Sequence, residues 1–391
     1  MEREALVYCD RRHTDSMKWD GMEGTFTRGD LDPFWVADMD FQAPRCVREA
    51  VEDWARKGIY GYYRAPEEYQ NAFLDWEAGR HGLHLERDWL RFSPGIVTAL
   101  FWLVQTLTAP GDPVAVMKPV YYPFFRAIED TGRTLVSCNL VNTGGVYTVD
   151  FDALAALLDT TGAKVLILSN PHNPVGRVYR RNELEQICAL CAERDVTILS
   201  DEIHQDLVFP GHTHIPTQSI GVGRVVTLAS ASKTFNLAGL QNSFLVIPDP
   251  DLRERYDAFV KGTAHMEAGV SAGYVAAAAA FRGGAGWLDS LLGQIRANFE
   301  GMRDILAREA PKAVVTELEG TYLMWVDLRA YVQGQEAVRA LMEDTCGLAV
   351  DYGSWFGGEE WAGFVRFNLA TSHARCLEAA HRLCRGLAAL E

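Results

Sequence analysis

Long apolar runs are missing from this chain of 391 residues. The longest stretches, such as "YVAAAAAF" at 274–281, are far shorter than the roughly 20 residues that a membrane-spanning helix needs. We therefore expect no membrane partner, and we interpret the alanine-rich run as a helix of the protein core. The first residues, "MEREALVYCDRRHTD", also lack the apolar segment of a secretory signal, which predicts a cytoplasmic protein.

Clusters of basic residues are missing too. The formal net charge is −15, and no run of five or more Lys and Arg occurs. Because nucleic-acid binding depends on grouped cations that neutralise phosphates, the composition argues against a nucleic-acid partner. A G-x-G-x-x-G between a strand and a helix is also absent, which sets aside a nicotinamide-dependent dehydrogenase.

The eight cysteines form no disulfide or metal-binding framework. Cys188 and Cys191 make one C-x-x-C, but they lie in "NELEQICALCAERD", where apolar residues recur at helical spacing. That spacing predicts two buried thiols that act as small apolar side chains, and no second ligand pair supports a metal. The pair His212 and His214 has the same weakness, and we predict that it lies on an exposed loop.

Strands alternate with helices through the middle of the chain, which predicts an α/β fold with a mostly parallel sheet. We predict a buried helix at 96–107 and strands at 112–118, 133–140, 164–169, 196–200, 224–230 and 242–247. After about residue 283 the pattern changes to a long amphipathic helix, short strands and a last helix. This change predicts a large domain at 46–283 and a smaller α+β domain made of 1–45 and 284–391.

Polar clusters follow three of these strands. They are "SNPHNPVG" at 169–176, "SDEIHQD" at 200–206 and "SASK" at 230–233. Each alone is explained by a turn, a helix cap or a surface lysine. Because the carboxyl ends of parallel strands meet at one edge where ligands bind, their joint position predicts one crevice that contains Asn173, Asp201, His204, Ser230 and Lys233.

The chemistry of this set suits one cofactor. A lysine can form a Schiff base with an aldehyde, and a carboxylate can keep a pyridine nitrogen protonated. The turn in "FSPGIVTAL" leads into a helix, so the backbone N–H groups of Gly95, Ile96 and Val97 can bind an anion, and the Ser230 hydroxyl can assist them. Together these features favour pyridoxal 5'-phosphate.

The motifs "SNPHNPVGRVY", "SDEIHQDL" and "SASKTFNLAGLQ", in this order, resemble the fold-type-I pyridoxal-phosphate enzymes of the aminotransferase class I/II superfamily. The resemblance covers nearly the whole chain. "DRRHTDSMKWD", "FWVADMDF", "GYY" and "DEIH" are similar to the branch of cystathionine β-lyase-like C–S lyases.

This resemblance implies a role for each matching position. Lys233 is expected to form the Schiff base, Asp201 to pair with the pyridine nitrogen, and Asn173 to bond to the ring hydroxyl. Tyr121 is expected on the face of the ring. His204 occupies the position where many relatives have a tyrosine.

The resemblance also implies a substrate site and a second subunit. Arg366, in "VRFNLATS", is expected to bind the substrate α-carboxylate, and Tyr62 to reach the phosphate in the neighbouring subunit of a homodimer. The chain departs from many relatives at Gln241, where they have an arginine that pairs with the cofactor phosphate.

The implied activity is a lyase reaction on a small amino-acid substrate. α,β-Elimination from cystathionine or another S-substituted cysteine would give a thiol, pyruvate and ammonia. An aminotransferase uses the same lysine and ring, so it remains an alternative, and a pyridoxal-phosphate-binding regulatory protein is an alternative of another class.

Overall fold

Buried runs of Val, Ile and Leu form the central strands of this computed structural model, which describes residues 3–390. Such side chains pack well on a pleated surface that is covered on both faces. The strands are β1 (Asp32–Pro33), β2 (Leu90–Ser93), β3 (Pro113–Lys118), β4 (Thr134–Asn139), β5 (Val141–Thr143), β6 (Val146–Thr148), β7 (Val165–Ser169), β8 (Thr197–Asp201), β9 (Arg224–Ala229), β10 (Ser243–Val246), β11 (Val314–Val315), β12 (Leu323–Asp327), β13 (Leu348–Ala349), β14 (Asp351–Tyr352) and β15 (Phe364–Asn368).

The large sheet has seven strands in the order β2-β10-β9-β8-β7-β3-β4. The five strands from β9 to β4 are parallel, whereas β10 runs antiparallel to both of its neighbours. A mostly parallel sheet needs crossover helices on its faces, and the chain supplies them.

Helices cover both sheets and carry the apolar faces that the periodicity indicates. They are α1 (Met17–Asp20), α2 (Arg45–Arg56), α3 (Glu67–His81), α4 (Ile96–Leu107), α5 (Pro123–Glu129), α6 (Phe151–Thr161), α7 (Arg181–Glu193), α8 (Ala231–Thr234), α9 (Pro250–Phe259), α10 (Ser271–Gly283), α11 (Ala285–Glu309), α12 (Gln335–Ala340) and α13 (His373–Ala388). No helix within residues 3–390 combines the length and the apolar character that crossing a bilayer requires.

A second, antiparallel sheet has the order β11-β12-β15-β14. The N-terminal segment joins this part of the protein, because β1 pairs in parallel with β13. The domain boundaries at 45 and 283 remain predictions.

The predicted fold class is confirmed, as are the helix at 96–107 and the six strands predicted between 112 and 247. The sequence did not indicate β2, which forms an edge of the sheet. The burial of Cys188 and Cys191 is confirmed. The prediction for the histidine pair is wrong for His214, which is buried because its Nε2 bonds to the Glu202 carboxylate at 2.9 Å.

The buried carboxylate of Asp40 attaches the N-terminal segment to α13. Lys18 Nζ donates to Asp40 Oδ2 at 3.0 Å, and both side chains are fully buried. Asp40 also accepts from Trp19 Nε1 at 2.9 Å and from Arg375 Nη1 at 2.7 Å. Burial lowers the pKa of the Lys18 amine, so its charge depends on this carboxylate.

We predict that Asp40→Asn destabilises the protein by roughly 3–5 kcal/mol, since it leaves the buried Lys18 amine without its carboxylate partner, whereas Arg375 keeps Asp32. Lys18→Met should cost less, because Asp40 keeps Arg375 as its partner. Urea unfolding of the purified variants measures both. Asp53→Asn, which breaks the exposed pair with Arg56, is the control and should change stability by less than about 1 kcal/mol. Equal losses for Asp40→Asn and Asp53→Asn would contradict the role given to Asp40.

Candidate active site

The three polar clusters meet at the carboxyl edge of the large sheet. Ser169, the last residue of β7, is in register with Asp201, the last residue of β8. The next strand, β9, leads through Ser230 directly into α8, which carries Lys233. Parallel pairing therefore brings together residues that are far apart in the sequence.

A cavity of about 180 Å³ lies at this edge. Larger cavities lie elsewhere in the described part of the chain, but this smaller one contains the motif residues. Nine of the predicted site residues line it: Gly95, Ile96, Val97, Tyr121, Asn173, Asp201, His204, Ser230 and Lys233.

Lys233 is held in the cavity by a backbone carbonyl. Its Nζ donates to the Ala37 carbonyl oxygen at 2.6 Å, and Tyr322 Oη donates to the same oxygen at 2.8 Å. Burial lowers the pKa of the Lys233 amine to about 8, although the negative charge of Asp38 opposes that shift. The amine therefore loses its proton far more readily than a surface lysine.

Asp201 is buried at the end of β8. Burial raises the pKa of its carboxyl to about 7, while the Ile203 backbone N–H, which donates at 3.1 Å, partly stabilises the ionised form. A cation on a bound ring would stabilise the carboxylate further. The side chain therefore fits a partner that brings its own positive charge.

The N-terminus of α4 forms another wall of the cavity. The first backbone N–H groups of a helix have no partner within the helix, and here Gly95, Ile96, Val97 and Thr98 line the cavity. The positive end of the helix dipole reinforces these donors. An anionic group such as a phosphate is the ligand that this wall suits.

His204 faces the cavity as a neutral ring. Burial lowers its pKa well below the ordinary value, and the charges of Lys233 and Arg366 lower it further. Its ring packs edge-on against Tyr322 with 5.7 Å between centroids. Its Nδ1 is buried and has no hydrogen-bond partner among residues 3–390, so this nitrogen is available to a ligand.

Arg366 lies behind Asn173 and does not line the cavity itself. Its Nη1 donates to Asn173 Oδ1 at 2.8 Å, its Nη2 donates to the Trp35 carbonyl at 3.3 Å, and its Nη2 also contacts Asp351 Oδ2. Burial lowers the pKa of the guanidinium to about 10. An internal carboxylate thus already occupies part of the fork that was predicted to bind a substrate.

Tyr62, which is expected to reach the phosphate of a neighbouring subunit, and Gln241, which stands where many relatives have an arginine, do not line the cavity of their own chain. Tyr62 is fully exposed and does not line the cavity. Gln241 is also exposed, adopts a left-handed conformation with φ of 46°, and is not among the lining residues. Ser230 does line the cavity, but its hydroxyl donates to the Asn242 carbonyl at 2.6 Å.

Sequence reasoning missed Asp351 and Tyr322. Asp351 is opposite Arg366 in the β14–β15 pairing, and Tyr322 immediately precedes β12. Neither lies in a motif, and neither follows a strand of the large sheet. The sequence indicates only that these two residues lie in or beside short strands. It does not predict how those strands pair, and the pairing is what brings the residues to the site.

The donor set as a whole fits pyridoxal phosphate. It combines an amine of low pKa, a buried carboxyl, an aromatic ring at Tyr121, the Asn173 amide and a helix N-terminus for an anion. The orphaned Nδ1 of His204 points to the same conclusion.

Known proteins are similar to this chain in sequence and fold over nearly their whole length. Cystathionine beta-lyase PatB of Bacillus subtilis is 37% identical over 379 residues, which cover 96% of this chain and 97% of PatB. The crystal structure of cystalysin from Treponema denticola, which contains a pyridoxal 5'-phosphate cofactor, has a TM-score of 0.94 and 34% identity, with full coverage of both chains.

A third relative is the pyridoxal-phosphate-bound C–S lyase from Staphylococcus hominis. Its structure has a TM-score of 0.91 and 32% identity, and the match covers 97% of each chain. The family model described as aminotransferase class I and II matches residues 36–383. The chain belongs to the aminotransferase class I and II family.

Proposed function

We propose that this protein is a pyridoxal-phosphate-dependent C–S lyase that cleaves cystathionine or another S-substituted cysteine by α,β-elimination. The products are a thiol, pyruvate and ammonia. The observation that carries the proposal is the convergence of Lys233, Asp201 and Asn173 on one cavity in a chain that is 37% identical to a cystathionine β-lyase.

Bound pyridoxal phosphate supplies an aldehyde that reacts with amines and a pyridine ring that withdraws electrons from the α-carbon of an amino acid. Lys233 is the amine that would hold this aldehyde. Asp201 would accept the N–H of the pyridine ring, and the backbone N–H groups at Ile96 and Val97 would hold the phosphate.

The orientation of Asn173 follows from its partner. Because a guanidinium has only donors, the amide oxygen of Asn173 must face Arg366, as it does at 2.8 Å. The NH₂ group of Asn173 then remains to donate to the ring hydroxyl oxygen. Arg366 thus aligns a cofactor contact as well as serving the substrate.

Lys233 also moves the proton that the elimination requires. With an amino acid bound in the site, Nζ would take the proton from the substrate α-carbon, the sulfur would leave the β-carbon as a thiolate, and the protonated Nζ could return a proton to it. A pKa near 8 suits this work at neutral pH, because an amine of ordinary pKa would be almost fully protonated. The remaining three-carbon fragment is hydrolysed to pyruvate and ammonia.

Arg366 binds the substrate α-carboxylate through donors that Asp351 and Asn173 leave available. Its Nε is buried and has no partner in the part of the chain that the structure describes. A carboxylate that reaches Nε would satisfy this donor, and planar guanidinium geometry favours a two-point contact.

We further infer a homodimer in the cytoplasm. Tyr62 lies in an exposed apolar segment together with Ile59 and Tyr60. A second copy of the chain would cover this segment, and Tyr62 would then reach the cofactor phosphate bound to that copy. All eight cysteines are free thiols, which suits a reducing compartment.

The lyase assignment predicts that pyruvate, ammonia and a free thiol appear from L-cystathionine without an added keto acid. A panel of S-substituted cysteines, assayed for pyruvate release on cofactor-loaded protein, also ranks the leaving groups. Lys233→Ala should abolish release and the visible absorbance of covalently held cofactor, whereas Lys164→Ala, at an exposed position, should change neither. A requirement for a keto acid would identify an aminotransferase, and an absence of turnover across the panel would favour a regulatory protein.

The burial of the Lys233 charge predicts a stability effect in the cofactor-free protein. Between pH 8 and 10.5 the unfolded chain holds a proton that the folded chain has lost, so wild-type stability rises with pH across this interval. Lys233→Met should therefore be more stable than wild type at pH 7, with an advantage that shrinks towards pH 10.5. Urea midpoints at several pH values measure this. A pH-independent difference, as expected for the control Lys164→Met, would contradict the lowered pKa.

Asp351→Asn is predicted to destabilise the substrate-free protein, because the buried guanidinium loses its counter-charge, and to lower KM about three- to tenfold with little change in kcat, because Arg366 is then free for the substrate carboxylate. Steady-state kinetics on L-cysteine measures this, and L-cysteine methyl ester, which lacks the carboxylate, should show no such gain. Asp327→Asn is the matched control, since Asp327 pairs with the exposed Arg329 in the same sheet. A rise in KM would show instead that Asp351 holds Arg366 in its working position.

A further inference from the structure

The stretch "VADMDF" at 36–41 borders the Lys233 cavity through Ala37, although it belongs to no helix or strand. We call it segment 36–41. The backbone N–H and C=O groups of such an irregular stretch have no regular partners, so other groups must supply their hydrogen bonds. Here asparagine side chains supply them at both ends of the segment.

Asn368, the last residue of β15, fixes the first half of segment 36–41. Its Nδ2 donates to the carbonyl oxygens of Val36 and Asp38, at 2.6 Å in each case. The Asp38 N–H donates to the Val36 carbonyl oxygen at 2.9 Å, which closes a tight bend around Ala37. The peptide unit between Ala37 and Asp38 is therefore held in one orientation.

Asn236 fixes the second half of the segment. Its Nδ2 donates to the carbonyl oxygens of Met39 and Phe41, at 3.1 and 2.9 Å, and its Oδ1 accepts from the Met39 N–H at 3.0 Å. Asn236 comes three residues after Lys233. The turn that carries the lysine thus also holds the segment to which the lysine bonds.

This backbone places a carboxylate near the Lys233 amine. Lys233 Nζ donates to the Ala37 carbonyl oxygen at 2.6 Å, and Asp38 is the next residue. Standard bond lengths then limit the distance between Nζ and the Asp38 carboxyl carbon to at most about 8 Å. Charges this close interact appreciably where little water lies between them.

Three charged residues surround the amine: Arg366, Asp201 and Asp38. The Arg366 cation disfavours a second positive charge nearby. In the proposed function Asp201 pairs with the N–H of the cofactor ring, so its charge is already used there. Asp38 is therefore the carboxylate that remains to balance an ammonium on Lys233.

The other polar groups of the site add no charge. His204 is neutral because burial lowers its pKa well below the ordinary value, and burial raises the pKa values of Tyr121 and Tyr322. The Tyr322 hydroxyl donates to the same Ala37 carbonyl oxygen at 2.8 Å and so helps to fix this acceptor.

The ion pair of Asp38 leaves part of its carboxylate unused. Asp38 Oδ2 contacts Arg11 Nη2 at 2.7 Å. Asp38 Oδ1 is buried and has no hydrogen-bond partner among residues 3–390, which is rare for a buried polar atom. The Asp38 charge raises the pKa of the Lys233 amine against the larger, opposite effect of burial.

We propose that Ala37 and Asp38 stabilise Lys233 as an ammonium after it has taken the proton from the substrate α-carbon. The C–H electron pair stays with the substrate and expels the thiolate, and the proton on Nζ is then available to that thiolate. The Ala37 carbonyl accepts a hydrogen bond from the ammonium, and Asp38 supplies the counter-charge, which Arg11 moderates. Asp38 is thus a positioning residue that acts through Lys233.

The first test measures the pKa of the Lys233 amine in cofactor-free protein by NMR titration of lysine labelled with ¹³C at Cε. The signal is assigned by its absence from Lys233→Met. Asp38→Asn should lower this pKa by about 0.5 to 1, because the ammonium loses its counter-charge. Arg11→Met should raise it by a smaller amount, and Arg11→Lys, which keeps the cation, should retain the wild-type value. Asp10→Asn, which removes a carboxylate from an exposed ion pair in the same N-terminal segment, is the matched control and should change nothing.

The direction of the change separates charge from structure. A variant that only loosens segment 36–41 would admit water and raise the pKa of the Lys233 amine, so a lowered pKa in Asp38→Asn cannot arise in that way. An unchanged or raised pKa in Asp38→Asn would overturn the proposal. If that variant does not fold, an unchanged or lowered pKa in Arg11→Met, or equal changes in Arg11→Met and Arg11→Lys, would overturn it.

The second test concerns turnover and rests on the proposed lyase function, whereas the NMR titration does not. In cofactor-loaded Asp38→Asn, the acidic limb of the kcat profile for pyruvate release from L-cystathionine should move to lower pH, because Lys233 loses its proton at lower pH. Asp10→Asn should keep the wild-type profile. An NMR change without a change in this limb would overturn the catalytic role alone, and a protein without lyase activity would still show the NMR change.

Discussion

The buried guanidinium of Arg366 is the contact on which the site depends, because it joins three parts of the chain. It bonds to Asn173 after β7, to the Trp35 carbonyl in the N-terminal segment, and to Asp351 in β14. Removing a cation from water costs several kcal/mol unless polar partners replace the water. The position of Asn173 in the cavity therefore requires the large sheet, the small sheet and the N-terminal segment to be assembled together.

Desolvation is also the common cause of the reactivity of the site. The same burial lowers the pKa of Lys233, raises that of Asp201 and keeps His204 neutral. Each shift disfavours the charged form, so the empty site is less stable than an apolar one would be. A bound cofactor brings a ring cation and a phosphate, and their interactions compensate for the desolvation of the site. This explains how a buried crevice can contain Lys233, Asp201 and His204.

The sequence predicted the site residues whose positions follow from the order of strands and helices along the chain. Asp201 and Lys233 follow buried strands, and parallel pairing leaves few ways to arrange such strands, so their convergence could be inferred. Asp351 and Tyr322 could not be found, because their positions depend on the register of short antiparallel strands. The burial of His214 was missed because its partner Glu202 is twelve residues away, near the start of the same loop after β8, and the sequence does not show how this loop folds back.

The loop after β8 connects two different environments within six residues. Asp201, Ile203 and His204 line the Lys233 cavity, whereas Gln205 and Asp206 line a separate cavity of about 770 Å³ beside α3. The adjacent pair Lys233 and Thr234 divides in the same way, since Lys233 faces the cavity and Thr234 bonds to Asp206. Asp206 therefore ties the loop after β8 to α3 through Trp76 and to α8 through Thr234, the neighbour of Lys233.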